Sequence, residues 1–134
     1  MEYTTVVNGV PELSLLRSDQ IAQLTQNGLV YTNTHDAIPC VHLSGKKLDF
    51  LLSEISMSDP DKVYGLFYQG DKPVVGYISL QYLNDYHENR ETLYNRLSFN
   101  AEYKLSTFKA VGDEVGKIIW DHRVFPEKFE KYSR

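Results

Sequence analysis

The chain has 134 residues, a single cysteine and a formal net charge of −4. This length predicts one domain over residues 1–134, and a domain of this size buries roughly two-thirds of the surface that its unfolded chain exposes. Because Cys40 stands alone, an intramolecular disulfide and a four-cysteine zinc site are excluded, and a reducing, cytoplasmic compartment is expected. The mild acidity argues against duplex DNA as a partner, and no apolar run has the length that a membrane span needs.

The N-terminal part of the chain predicts one strand and one helix. The β-branched residues of Glu2–Val7 favour a strand segment within residues 1–14, followed by an Asn8-Gly9 turn. Residues 18–28 then predict a short helix, with Ser18 as its N-cap and Gly28 as a left-handed cap at its C-terminal end.

Four apolar runs joined by short turns predict an antiparallel meander. These strands are Ile38–Leu43, Leu48–Ile55, Lys62–Tyr68 and Pro73–Ile78. Gly70 lies in the loop between the last two strands, where a positive φ angle is usual. Gly65 and Gly76 lie inside those strands, so we expect close packing or a bulge at both.

The C-terminal half predicts two helices and one more strand. Ser79 can cap a short helix over residues 80–86, residues 94–100 favour a strand, and residues 105–122 have the apolar period of a helix capped by Ser106. Residues 120–134 form a C-terminal extension that either docks loosely or extends. The whole pattern predicts an α+β fold, in which two or three helices pack on one face of an antiparallel meander sheet.

Several short motifs in this order resemble the domain of unknown function 2958 family. They are "LLRSDQIAQLTQNG", "IPCVHL" and "LLSEISMSDPDKVYGLFYQGDKPVVGYISLQYL", and the likeness covers roughly residues 15 to 118. The chain departs from the family pattern at His42 and Phe50, where Lys and Trp are usual. The resemblance implies a setting on bacterial plasmids, integrative elements or phages, and an accessory role there.

Paired carboxylates in one loop are the first candidate for chemistry. Asp59 and Asp61 flank a proline, and Glu54 lies shortly before them, so the three could bind Mg²⁺ or Ca²⁺ through oxygen. The same Asp-Pro-Asp sequence makes a good turn, and we favour this structural interpretation.

Cys40 and His42 are the second candidate, because residues two apart in a strand point to the same face. A catalytic dyad would need a depressed thiol pKa and a third group to orient the imidazole. We therefore expect a buried thiol near a surface imidazole.

Tyrosines crowd the middle of the chain, and tyrosine serves both protein cores and protein interfaces. We expect a protein-contact surface on the hairpin of residues 59–77. Its predicted contact residues are Asp59, Asp61, Tyr64, Tyr68, Asp71 and Lys72.

The expected function is that of a small accessory interaction protein of a mobile genetic element or phage. It would bind a host protein, without cofactor or catalysis, and inhibition of a host defence system such as CRISPR or restriction is its most concrete form. The alternative is a metal-dependent enzyme or metal-binding domain that uses Glu54, Asp59 and Asp61.

Overall fold

The computed structural model describes the backbone at Val6–Val7 and Val10–Pro11 and all of residues 13–134. The strands are β1 Val6–Val7, β2 Val10–Pro11, β3 Val41–Ser44, β4 Asp49–Ile55, β5 Lys62–Tyr68, β6 Val74–Ser79 and β7 Tyr94–Asn95. The helices are α1 Ser18–Val30, α2 Leu80–Asn89, α3 Leu105–Val115 and α4 Pro126–Tyr132, with a 3-10 turn at His122–Val124. The predicted Asn8-Gly9 turn and the start of the predicted N-terminal strand lie outside the described residues.

The main sheet has five antiparallel strands in the order β6-β5-β4-β3-β7. The predicted α+β fold and the meander of four consecutive strands are therefore confirmed. The last strand is shorter than predicted, and it returns to pair with β3 through Leu43 and Ser44. Among the described residues, no helix has the length and apolar character required to cross a membrane.

The helices cover both faces of the sheet, which corrects the prediction that they pack on one face. On the first face, Ile21 and Leu24 of α1 and Leu80 and Leu83 of α2 join a core with alternate residues of β3, β4 and β5. On the second face, α3 and α4 pack over Leu51 and Leu66 in a separate core. The central strands are apolar on both sides because each side faces a core of its own.

Helix α1 does not end at Gly28, contrary to the prediction. The helix begins after Arg17 rather than being capped by Ser18, and it continues to Val30. Gly28 lies within it, and a Cβ atom there would be only 1.9 Å from the Ile55 carbonyl oxygen. This glycine is required because the helix backbone contacts the backbone of β4 directly.

Helix α3 is shorter than the predicted residues 105–122. It ends at Gly116, whose φ angle of 92° is the left-handed conformation that glycine adopts without strain. Its N-cap is Lys104 rather than Ser106. The backbone N–H and the hydroxyl of Ser106 instead donate to the carboxylate of Asp36, at 2.8 and 2.7 Å.

The C-terminal segment packs into the second core. Pro126 lies in the first turn of α4, a position where its missing N–H costs nothing. Phe129 is fully buried against Phe108 of α3, with the ring centroids 5.0 Å apart. Lys128 and Tyr132 of α4 also bond to Glu114 of α3. The segment thus supplies part of the cover of the second face.

The two strand glycines have different surroundings, although they lie opposite each other in the β5–β6 pair. A Cβ at Gly65 would be 2.2 Å from the Leu51 carbonyl oxygen, whereas a Cβ at Gly76 would meet no atom within 4 Å. The predicted close approach is therefore correct for Gly65 and wrong for Gly76. The sheet face at Gly76 is therefore uncovered, whereas Gly65 lies against the backbone of β4.

Candidate functional site

A buried carboxylate marks the most unusual part of the second face. Glu54 is only 1% exposed. It reaches this face through a bulge in β4, where the register with β5 shifts between Leu52 and Glu54. The extra residue, Ser53, leaves Ile55 in the first core and turns Glu54 to the opposite side, beside Tyr64. Bulges that re-aim a side chain in this way occur preferentially next to active and binding sites.

His35 lies over this carboxylate, in the connection that follows α1. Its φ angle is 52°, the only positive value of a non-glycine residue in the described chain. A residue held in this conformation stores strain, which is found preferentially at functional sites. The imidazole Nδ1 lies 3.2 Å from Glu54 Oε2 and 3.3 Å from the Tyr77 hydroxyl. Nδ1 donates a hydrogen bond when it carries a proton, and it accepts one from the Tyr77 hydroxyl when it does not.

Two tyrosine rings complete the group, which we call the Glu54 site: Glu54, His35, Tyr64 and Tyr77. Tyr64 on β5 and Tyr77 on β6 are direct cross-strand partners, and their rings meet edge to face at 5.0 Å. The His35 ring lies 5.3 Å from that of Tyr64 and 6.0 Å from that of Tyr77. The rings form a continuous aromatic wall beside the carboxylate.

Burial controls the electrostatics of the Glu54 site. Loss of hydration raises the pKa of Glu54, while the hydrogen bond and charge of His35 oppose this shift and the nearby Asp36 adds to it. The pKa values of Tyr64 and Tyr77 are raised for the same reason, first by burial and then by the Glu54 charge. Glu54 Oε1 has no hydrogen-bond partner among the described residues.

Two cavities flank His35. The first, of about 310 Å³, is lined by Gly28, Thr32, His35, Glu54, Ser56, Met57, Ser58 and Tyr77. The second, of about 260 Å³, is lined by Thr34, His35, Asp36, Tyr64, Val75, Leu105, Ser106 and Lys109. His35 therefore forms a wall between two solvent-open spaces, and the buried carboxylate belongs to the first of them.

The comparison with known proteins gives one match. A sequence profile for a protein of unknown function (DUF2958) matches residues 15–119. The chain belongs to this family. No curated protein and no solved structure matches the chain significantly. The matched range includes every residue of the Glu54 site, so the site lies within the family domain.

Asp59 and Asp61 of this family member stabilise a turn and a helix end. Asp59 accepts a hydrogen bond from the Asp61 backbone N–H at 3.1 Å. The Asp61 carboxylate accepts from the Ser79 hydroxyl at 2.6 Å and from the Gln81 backbone N–H at 2.9 Å, at the start of α2. Both oxygens of Asp61 thus accept hydrogen bonds at the start of α2, and the alternative metal set of Glu54, Asp59 and Asp61 stays a prediction. Within residues 13–134, no group of three or more His, Cys, Asp or Glu is placed to hold a metal ion.

The other predicted contact residues lie along the β5–β6 hairpin. Tyr64 joins the Glu54 site, whereas Tyr68 is half-buried against the second core. Asp71 and Lys72 are exposed in the turn. The structure thus brings together Glu54 and Tyr64, and it separates both from Asp61.

Cys40 and His42 do not form a pair, and the predicted surface imidazole of His42 is wrong. Cys40 packs against the first core, and burial raises its pKa to about 12. His42 is fully buried and stacks on Trp120, with ring centroids 5.1 Å apart. Its Nε2 lies 2.7 Å from Asp49 Oδ1, and its Nδ1 accepts from Arg96 Nε at 3.3 Å. Because both ring nitrogens of His42 contact protein groups, its role is structural.

The sequence analysis missed His35 and Tyr77. The signal for Tyr77 was present, because a loop at residues 69–72 fixes the hairpin register and places Tyr77 opposite Tyr64. No sequence signal identified His35, since its position over Glu54 depends on a left-handed backbone and on the bulge in a distant strand.

Proposed function

We propose that this protein acts by binding another protein along the outer edge of β6. The observation that carries the proposal is the exposure of this strand: Val74, Val75 and Tyr77 are 46%, 41% and 44% exposed. Among the described residues, β6 pairs on one side only, with β5. Natural proteins usually protect such an edge with charge, proline or a bulge, because its free backbone groups accept another strand.

The occupant that fits this edge is an extended segment of the partner, added as a further antiparallel or parallel strand. Main-chain hydrogen bonds would supply affinity, and the exposed valines and Tyr77 would supply apolar contact. The predicted contact residues Asp71 and Lys72 lie next to the start of β6, where they would form a charged rim. Tyr64 contributes through its contact with Tyr77.

The proposed setting is the cytoplasm of a bacterial host, where the protein serves a plasmid, integrative element or phage. Its partner would be a host protein, and inhibition of a defence system is the form of the proposal that is easiest to test. The support for this setting is what the sequence resemblance described above implies. The proposal involves binding rather than catalysis.

Site-specific photo-cross-linking tests the proposed surface. A photoreactive amino acid in place of Val75 should cross-link one defined host protein in living cells. Val124 is 60% exposed and lies in the 3-10 turn away from β6, which makes it the matched control position. Equal cross-linking of the same protein from both positions would contradict the proposal.

A charge-inserting variant gives the second readout. Val75→Lys should abolish capture of the cross-linked protein, because an added strand would have to desolvate the ammonium group. Val124→Lys should leave capture unchanged. If expression of the wild-type chain also protects an infecting phage from a host defence system, Val75→Lys should remove that protection. If Val75→Lys protects the phage as well as the wild type does, the β6 edge is not needed for this role.

A further inference from the structure

The Glu54 site contains an acceptor that the fold leaves without a donor. Glu54 Oε1 is buried, and it has no hydrogen-bond partner within the described part of the chain. Removing a carboxylate oxygen from water without a compensating hydrogen bond costs free energy. An apolar side chain at this position would leave no buried acceptor without a donor.

The surroundings of the carboxylate indicate what would compensate this cost. Three rings, those of His35, Tyr64 and Tyr77, lie within about 6 Å of one another beside it. The face of a tyrosine ring attracts a cation, and a buried carboxylate is the natural counter-ion. The adjoining cavity of about 310 Å³ is also lined by three residues that carry hydroxyl groups, Thr32, Ser56 and Tyr77.

We propose that the Glu54 site binds an organic cation, a guanidinium or ammonium group, in the cavity between the C-terminal end of α1 and the end of β4. Glu54 Oε1 accepts a hydrogen bond from the cation, and the Tyr77 ring lies against it. This function goes beyond strand addition at β6. Tyr77 belongs to both surfaces, but Glu54 lies on β4, two strands away from the β6 edge, and Val75 is not part of the Glu54 site. Substitutions at Glu54 and at Val75 therefore test the two proposals separately.

An organic cation fits this cavity better than a metal ion. Calcium takes six to eight oxygen ligands, and magnesium demands near-ideal octahedral geometry. The cavity offers one carboxylate, and one of its two oxygens already contacts His35. A guanidinium ion is weakly hydrated and stacks on aromatic rings, so it tolerates a partly buried site.

The His35 side chain lies where its movement would control access to the Glu54 carboxylate. Its side chain is 41% exposed, it separates the two cavities, and its backbone is held in the left-handed conformation. A shift of the ring away from Glu54 Oε2 opens the carboxylate to the first cavity. The cation then donates to Oε1, and a second N–H of the same cation takes the place of His35 at Oε2.

Binding of small cations to the full-length protein tests the proposal. Titration with N-methylguanidinium chloride and with methylammonium chloride at constant ionic strength, followed by NMR, should shift the resonances of His35, Tyr64 and Tyr77 in a saturable way. Glu54→Gln keeps the shape of the side chain and should weaken binding at least about tenfold, because the charge-assisted contact is lost. Glu130→Gln, at an exposed glutamate on α4, is the matched control and should bind like the wild type.

A short arginine-containing peptide distinguishes the source of the cation. Tighter binding of the peptide than of N-methylguanidinium would assign the site to a protein side chain, and equal or weaker binding would assign it to a free small molecule. Equal binding of the small cations to wild type and Glu54→Gln, or the absence of saturable shifts at the three rings, would overturn the proposal. Capture of a partner through Val75 is unaffected by either result.

Discussion

The two faces of the sheet differ in what they bury. The first face, under α1 and α2, is filled by buried apolar side chains such as Leu24, Val41 and Leu52, and its buried Asn27 and Asn84 are hydrogen-bonded. The second face, under α3 and α4, also has a closed apolar centre, but it carries buried polar groups around that centre, among them Glu54 and His42. Apolar burial stabilises the fold, whereas buried polar groups cost free energy unless they are paired.

This difference separates the residues that hold the fold from those that are candidates for function. His42 is paired on both ring nitrogens, so its burial is compensated. Glu54 is compensated on one oxygen only. Real proteins tend to violate the rules of good packing where function requires it. The second face is therefore where substitutions should separate stability from binding.

The largest expected effect on stability comes from removing a buried ring from the second core. Phe129→Ala should lower the free energy of unfolding by about 3–5 kcal/mol, because it leaves a cavity between α3 and α4. Urea unfolding followed by circular dichroism measures it, with Phe125→Ala, at a half-buried ring, as the comparison. A loss below about 1 kcal/mol would mean that the C-terminal helix contributes little to the second core.

Gly65 and Gly76 are paired across β5 and β6 but have different surroundings, so the same substitution at each should have different effects on stability. Gly65→Ala should destabilise by about 1–3 kcal/mol, because its new methyl group would overlap the Leu51 carbonyl. Gly76→Ala should change stability by less than about 0.5 kcal/mol, since no atom lies near its Cβ position. Similar unfolding midpoints for both variants would contradict the difference between the surroundings of the two Cβ positions.

A smaller effect is expected at the predicted acidic loop. Asp61→Ala should lower stability by about 0.5–2 kcal/mol, because the carboxylate accepts two hydrogen bonds at the start of α2. Asp71→Ala, at an exposed turn residue, should leave the melting temperature nearly unchanged. If Asp61→Ala melts like the wild type, its carboxylate is available for the partner contact that the sequence predicted.

The sequence predicted the sheet better than it predicted the site. The bounds of β5 follow directly from an apolar run between an Asp-Pro-Asp turn and a glycine loop. The helix ends were less predictable, because Gly28 is explained by contact with a distant strand rather than by a local cap. The Glu54 site depends on a bulge at Ser53 and on the backbone of His35, and neither has a local sequence signal.

The pH dependence of Glu54 follows from the direction of its pKa shift. Burial raises the pKa above its usual value of 4.5, so the folded state binds the proton more tightly than the unfolded state. The resulting stabilisation is fully present below about pH 4.5 and is lost as the pH rises through the folded-state pKa. Glu54→Gln has no such loss. Groups remote from the Glu54 site are the same in both proteins, so their contributions cancel in the difference between wild type and variant.

The unfolding free energy of Glu54→Gln, measured relative to the wild type from pH 4 to pH 8, tests the central claim that Glu54 is kept for binding at a cost in stability. We expect the free energy of unfolding of the variant to increase relative to that of the wild type as the pH rises. Near neutral pH the variant should be more stable by on the order of 1 kcal/mol. A variant that is less stable than the wild type at every pH, by an amount that does not change, would show that Glu54 is a structural residue.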